Sequence, residues 1–136
     1  MNRLQKIVQI SLYILTLGGF WTQSSAQENP TYSKDIAPIL QDKCASCHNP
    51  EGIGPMPLQS YEQVKPFAAL IHDRTSKRIM PPWHIDTGIG IQSFKNDTSL
   101  NDEQIDLIER WFLAGSPEGN PEDLPAPVDF PSGAEW

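Results

Sequence analysis

Apolar residues recur at helical spacing in three stretches of this chain. The first contains Ile36, Ile39 and Leu40, which stand at i, i+3 and i+4 and therefore share one face of a helix. Asp35 is a competent N-cap ahead of them, and it would place Pro38 in the first turn, where the missing N–H costs nothing. The pattern predicts an amphipathic helix that runs into residues 44–48.

The second stretch follows a capping-box pattern, in which Gln63 comes three residues after Ser60. Pro66 is expected to divide it into a short helical turn and a helix over about 67–75. His72 has polar neighbours and is expected at the surface. The predicted inward stripe of this helix is Phe67, Leu70, Ile71 and Arg74.

The third stretch begins at Asn101, an N-cap with Gln104 at the capping-box position. Gly115 and Pro117 are expected to end it. Its predicted apolar stripe, which should contact the first helix, is Ile105, Ile108, Trp111 and Phe112.

The remaining stretches favour loops. Residues 49–58 contain three prolines and two glycines, and residues 85–98 are rich in glycine and polar side chains. The acidic, proline-rich stretch 117–136 is predicted to be an extended tail packed on the domain. The expected fold class is all-α, with three to four helices and long Pro/Gly loops. The residues expected to pin the tail are Leu124, Val128, Phe130 and Trp136.

Residues 1–26 are typical of a secretory signal peptide. Arg3 and Lys6 precede an apolar run over 7–20, and small residues lead up to Ala26, after which we expect cleavage. The run is short and carries polar residues, so a retained membrane anchor is the weaker interpretation. The predicted organisation is a signal peptide at 1–26, one small domain at 27–116 and the tail at 117–136, in a periplasmic or otherwise exported protein.

Charge narrows the choice of partner. The chain has 17 acidic and 10 basic residues and a formal net charge of −7, and cleavage would remove two of the basic ones. Nucleic acid is therefore not an expected partner. The acidity indicates a solvated surface or a preference for a basic docking face. We expect a monomer without a transmembrane span in the mature form.

Both cysteines of the chain lie in the run Cys44-Ala45-Ser46-Cys47-His48. On one helical turn, Cys44, Cys47 and His48 would present two thiols and an imidazole on the same face. Two such thiols can add to the two vinyl groups of a haem while the imidazole reaches the iron, and C-x-x-C-H is typical of c-type haem attachment. A ligating histidine usually donates its second ring N–H to a carbonyl, and here we expect the carbonyl of Gly54 or Pro55.

Three other interpretations of the motif were weighed. A thioredoxin-like dithiol should follow a strand within a βαβ pattern, which the chain lacks. A zinc site would have to complete its ligand set from His48, His72 and His84, whose spacing is not that of a zinc finger. A disulfide between residues three apart would close a very small loop and leave the histidine without a purpose.

Met80 is the candidate for a sixth iron ligand. It is followed by Pro81 and Pro82, which make the backbone that carries the thioether rigid. A thioether raises the reduction potential of haem iron, and histidine–methionine ligation indicates electron transfer. The rival ligands are Met56, His72 and His84, and Trp83 is expected to pack against the haem.

Taken together, the runs 32–40, 44–48, 80–83 and 111–117 resemble a bacterial exported c-type cytochrome domain. Such mono-haem domains occur alone or beside copper-dependent monooxygenase-like modules. The resemblance covers nearly all of the chain after residue 26, and it implies a small cytochrome c-like fold around one covalent haem c. It also implies thioethers at Cys44 and Cys47, proximal ligation by His48 and distal ligation by Met80.

The resulting functional hypothesis is a single-electron carrier that serves an unidentified redox partner protein and is not itself an enzyme. One alternative is a haem protein with a labile distal site that handles a small gas or peroxide. The other is a C-x-x-C dithiol redox protein.

Overall fold

The computed structural model describes residues 28–83, 85, 89–90 and 94–130. Within these ranges the secondary structure is helical and contains no strand, so the expected all-α class is confirmed for them. The predicted signal peptide lies outside the described residues. The four α-helices are α1 (Ala37–Lys43), α2 (Tyr61–Val64), α3 (Ala68–Ser76) and α4 (Asp102–Leu113). A π-helical turn at Tyr32–Ile36 leads into α1, and 3₁₀ turns lie at Lys65–Phe67 and Pro121–Asp123.

The chain enters its first helix earlier than predicted. Thr31 is extended, and the π-helical turn begins immediately after it. Asp35 is not the N-cap, because its carboxylate accepts a hydrogen bond from the Thr31 N–H at 2.8 Å from inside the turn. That bond satisfies one of the donors that a helix start leaves free. Pro38 does lie in the first turn of α1, as expected.

Both predicted capping boxes are confirmed. Ser60 accepts a hydrogen bond from the Gln63 N–H, and the Gln63 side chain accepts one from the Ser60 N–H. Asn101 and Gln104 make the same reciprocal pair at the start of α4. These bonds fix where α2 and α4 begin and so fix the ends of the loops that precede them.

The core lies where α4 packs against α3 and against the π-helical turn. Trp111 and Ile108 of α4 are fully buried there together with Ile36 and Leu40, which confirms the stripe predicted for the last helix. Among the described residues, no helix is long and apolar enough to cross a membrane.

The inward face of α3 differs from the predicted stripe. Ala68, Ile71 and Thr75 are its buried residues, whereas the side chains of Phe67 and Leu70 are 36% and 41% exposed. Phe67 belongs to the 3₁₀ turn, which winds more tightly than an α-helix at about 3.0 residues per turn. The tighter winding rotates the inward face away from that side chain.

The start of the tail is pinned by its backbone. The Pro117 carbonyl accepts hydrogen bonds from the Tyr32 N–H and from the Trp111 indole, both at 2.9 Å, and the Glu118 carbonyl accepts one from the Ser33 N–H at 2.8 Å. The first N–H groups of a helix have no partner within it, which explains this attachment.

The apolar anchors predicted for the tail are in part wrong. Leu124 and Val128 are 45% and 48% exposed, while Phe130 is half-buried. Trp136 lies outside the described residues. The tail is therefore held to the domain chiefly near its start, by the hydrogen bonds to the π-helical turn and to α4.

Candidate cofactor site

The C-x-x-C-H motif forms a hydrogen-bonded turn directly after α1. The N–H groups of Cys47 and His48 both donate to the Cys44 carbonyl, at 3.1 and 2.9 Å. These bonds span three and four residues, so the two thiols and the imidazole follow the spacing of one helical turn. All three side chains line the same cavity.

The loop after the motif folds back on it through hydrogen bonds. The Gly54 N–H donates to the Cys47 carbonyl at 2.7 Å, and the Leu58 N–H donates to the His48 carbonyl at 2.9 Å. Asn49 is buried, and its amide N–H₂ donates to the carbonyls of Ala45 and Ser46 at 2.9 and 3.1 Å. The polar backbone of the motif is therefore largely paired before any cofactor binds.

Two glycines allow this close approach. A Cβ atom on Gly52 would lie 2.2 Å from the Cys47 carbonyl oxygen, and one on Gly54 would lie 2.6 Å from Nδ1 of His48. Neither distance is compatible with a side chain. The two glycines of the loop, which the sequence marked only as helix breakers, are required because the loop packs against the back of the motif.

The same loop orients the imidazole. Nδ1 of His48 lies 2.9 Å from the Met56 carbonyl oxygen. A carbonyl only accepts, so Nδ1 carries the proton and Nε2 keeps its lone pair available for a metal ion. The expectation that Gly54 or Pro55 supplies this carbonyl is wrong by one or two residues. The acceptor lies further along the loop than predicted.

The two thiols have different surroundings. Both are free, with Cys44 half-buried and Cys47 exposed. Burial raises the pKa of the Cys44 thiol to about 12, and the neighbouring Cys47 and Asp42 add to the effect. Cys44 is therefore a protonated, weakly nucleophilic thiol at neutral pH.

Met80 lines the same cavity but comes from a different segment of the chain, more than thirty residues after the motif. It follows α3, and the N–H groups of Ile79 and Met80 both donate to the Arg74 carbonyl, at 2.9 and 3.2 Å. Its side chain is 39% exposed. The structure thus brings Cys44, Cys47, His48 and Met80 to one cavity.

This cavity measures about 640 Å³, within the range of small-molecule and cofactor sites. Among the described residues, its wall carries two cationic side chains, Lys43 and Arg74, and no carboxylate. That composition suits an apolar ligand with negatively charged substituents. Its apolar wall is formed mainly by Leu40, Leu58, Leu70, Ile71 and Ile79.

Of the three rival ligands, only Met56 lines this cavity among the described residues. Met56 lines the cavity, but its carbonyl accepts the bond from His48, which ties it to the proximal side. His72 is half-buried, which bears out its predicted surface position in part, and its ring stacks on Phe112 with centroids 4.8 Å apart. It does not line the cavity among the described residues, and His84 lies outside them.

Trp83 is not in the wall of this cavity, contrary to expectation. It lines a neighbouring cavity of about 700 Å³ and meets the Phe94 ring edge-on at 6.4 Å. Its indole nitrogen is buried and has no hydrogen-bond partner in the described part of the chain. The proline pair before it turns the chain away from Met80, with the Trp83 N–H bonded to the Pro81 carbonyl at 2.8 Å.

Sequence reasoning missed several residues of the site. Leu70 and Arg74 were assigned to the core-facing side of α3, yet both line the cavity and leave the core to Ala68, Ile71 and Thr75. Lys43 and Asn49 flank the motif, and their position beside it was the signal available in the sequence. Nothing in the sequence indicated that Arg78 donates to the Leu100 carbonyl, because the two residues are 22 positions apart along the chain.

No protein-family model, curated protein or solved structure matches this chain.

Proposed function

We propose that the protein is an exported mono-haem c-type cytochrome that carries single electrons. One observation carries the proposal: Cys44, Cys47, His48 and Met80 line one largely apolar cavity of about 640 Å³. The positions come from two segments that are more than thirty residues apart, so their meeting is a property of the fold and not of the motif alone.

Each of the four side chains has a distinct task in this proposal. Cys44 and Cys47 would form the two thioethers, and His48 would bind the iron through Nε2 because Nδ1 is engaged by the Met56 carbonyl. Met80 would supply the soft sixth ligand that favours the ferrous state. Haem, when bound, supplies a one-electron iron couple, and the apolar wall keeps water from it.

The dithiol interpretation has less support. Dithiol oxidoreductases use a thiolate with a lowered pKa, which a helix N-terminus helps to set, and their motif follows a strand. Here the pKa of Cys44 is raised to about 12, and the described residues contain no strand. A zinc site has no support either, since the described part of the chain holds no group of three or more His, Cys, Asp or Glu side chains suited to a metal ion.

A second candidate function is favoured by one observation. The Met80 side chain is 39% exposed. A ligand that solvent reaches can be displaced by a small gas or peroxide. The second candidate is thus a haem protein with a labile distal site.

The decisive test begins with a spectrum. The chain is expressed with export in a host that matures c-type cytochromes, reduced with dithionite, and then extracted with acidified acetone. Sharp haem bands that stay with the polypeptide are expected. A colourless protein, or colour that extracts, would contradict the proposal.

Carbon monoxide separates the two haem functions. An electron carrier with Met80 on the iron should bind carbon monoxide slowly as the ferrous wild type and readily as Met80→Ala. Met56→Leu is the matched control, since it removes a cavity thioether from the proximal side, and it should behave as the wild type. Rapid binding by the wild type, unchanged in Met80→Ala, would favour the labile distal site.

A further inference from the structure

Arg78 joins the Met80 segment to the start of α4. Its Nη1 donates to the Leu100 carbonyl at 3.0 Å, and its Nη2 pairs with the Asp102 carboxylate. These partners are 22 and 24 residues away along the chain. Among the described residues, the guanidinium is a direct link between the segment that carries Met80 and the last helix.

The anchor for this link is rigid. Leu100 is only 5% exposed, and the next residue, Asn101, is fixed by the capping box of α4. Arg78 itself has a φ of 53°, the left-handed conformation usual for the residue that follows a helix C-cap. The N–H groups of Arg78 and Ile79 donate to the carbonyls of Thr75 and Arg74, both at 2.9 Å, so the end of α3 fixes the backbone from which the Arg78 side chain reaches α4.

The two bonds of Arg78 do not contribute equally to the strength of the link. The side chains of Arg78 and Asp102 are 56% and 96% exposed, so their ion pair is screened by water and contributes little. The bond to the Leu100 carbonyl is partly buried and charge-assisted. The link therefore depends mainly on the hydrogen bond to Leu100.

We propose that Arg78 is a positioning residue that holds Met80 at the iron by tying its segment to α4. The inference rests on the proposed function, in which Met80 is the distal ligand. A ligand on a tethered segment returns quickly after it leaves, because the tether keeps its effective concentration high. Loosening the tether lowers that concentration and lets a competing ligand take the site.

Imidazole displacement measures the tether directly. Ferric holoprotein is mixed with imidazole, and loss of the far-red methionine–iron band is followed over time. Arg78→Ala should speed displacement by about tenfold, the effect of one charge-assisted hydrogen bond. Arg78→Lys keeps the charge but cannot serve both acceptors, and it should speed displacement by about threefold.

Two variants serve as controls. Lys77→Ala removes a neighbouring positive charge whose partner, Asp73, lies on α3, and it should displace at the wild-type rate. Asp102→Asn removes the exposed ion pair but keeps the Leu100 carbonyl, and it should stay within about twofold of the wild type.

The outcomes are distinguishable. Equal displacement rates in Arg78→Ala and Lys77→Ala would overturn the positioning function while leaving Met80 as ligand. A wild type with covalent haem but no far-red band would overturn the assignment of Met80 and, with it, this inference. If Arg78→Ala gives too little holoprotein, Arg78→Met decides the question, because it keeps the aliphatic stem but donates no hydrogen bond, and a wild-type rate in that variant would overturn the tether.

Discussion

The segment that carries His48 and the segment that carries Met80 face the same cavity, but they are held in different ways. His48 is surrounded by bonds from its own neighbourhood, including those of Asn49, Gly54 and Leu58. Met80 is held by the Arg74 carbonyl and, through Arg78, by the distant start of α4. His48 is therefore positioned by local sequence, whereas the position of Met80 depends on the tertiary fold.

Gly54→Ala should have the largest effect on stability, because the loop at Gly54 packs closely against His48 and Cys47. The new Cβ would lie 2.6 Å from Nδ1 of His48 and 2.8 Å from the Cys47 carbonyl oxygen. We expect a loss of about 2–3 kcal/mol in the free energy of unfolding, measured by urea denaturation of the holoprotein. Glu51→Ala, in the same loop with an exposed side chain, should be neutral. A stable Gly54→Ala protein would mean that the loop over residues 49–58, here called the proximal loop, is not rigid.

Asn49→Ala should cost about 2 kcal/mol, because it leaves the carbonyls of Ala45 and Ser46 without their buried donor. Urea denaturation again measures the loss. Asn120 is the matched control: it caps a 3₁₀ turn through its side chain but is exposed. Asn120→Ala should cost less, about 0.5–1 kcal/mol, because the cap that it removes is exposed. Similar losses in both variants would mean that burial of Asn49 adds nothing.

Alkaline pH should lower the free energy of unfolding through Tyr32, which is buried in the core. Burial raises the pKa of Tyr32 from 10.0 to about 12, and the carboxylates of Glu62 and Glu118 add to the shift. The unfolded chain therefore loses this proton first, so stability is full below pH 10 and falls between pH 10 and about 12 by up to about 2 kcal/mol. Urea midpoints measured against pH should show the fall, and Tyr32→Phe should remove that part of it. An unchanged alkaline fall in Tyr32→Phe would contradict the assignment.

Ile79→Ala should have the smallest effect on stability, since Ile79 lies beside Met80 on the more exposed side of the cavity. Its side chain lines the cavity but is 46% exposed, and we expect a change within about 0.5 kcal/mol. Urea denaturation beside Gly54→Ala gives the comparison directly. A loss as large as that of Gly54→Ala would mean that the two sides of the cavity are equally tightly packed.

Much of the fold followed from patterns that are local in sequence. Both capping boxes and the apolar stripe of α4 were predicted correctly, because each depends on residues within one or two turns. The start of the first helix was missed because a side chain within a turn can satisfy backbone donors just as a preceding cap does. The inward face of α3 was missed because a 3₁₀ turn shifts the periodicity ahead of it.

In the site, too, the features that depend on neighbouring residues were predicted and those that depend on distant residues were not. The spacing of Cys44, Cys47 and His48 was enough to place them on one face, and the structure brings them to one cavity. The partner of Nδ1 was predicted to the right loop but not to the right residue, since a proline-rich loop has several carbonyls within reach. The link from Arg78 to Leu100 could not be predicted, because it depends on how α3 and α4 pack.

The proximal loop has a consequence for how the chain matures. Its hydrogen bonds join residues that are at most ten positions apart, the longest being that between the His48 carbonyl and the Leu58 N–H. Contacts of such short sequence separation form fast, with little loss of chain entropy. A nascent chain can therefore orient the His48 imidazole before α3, Met80 and α4 have emerged, whereas Met80 is positioned only once the last helix is in place.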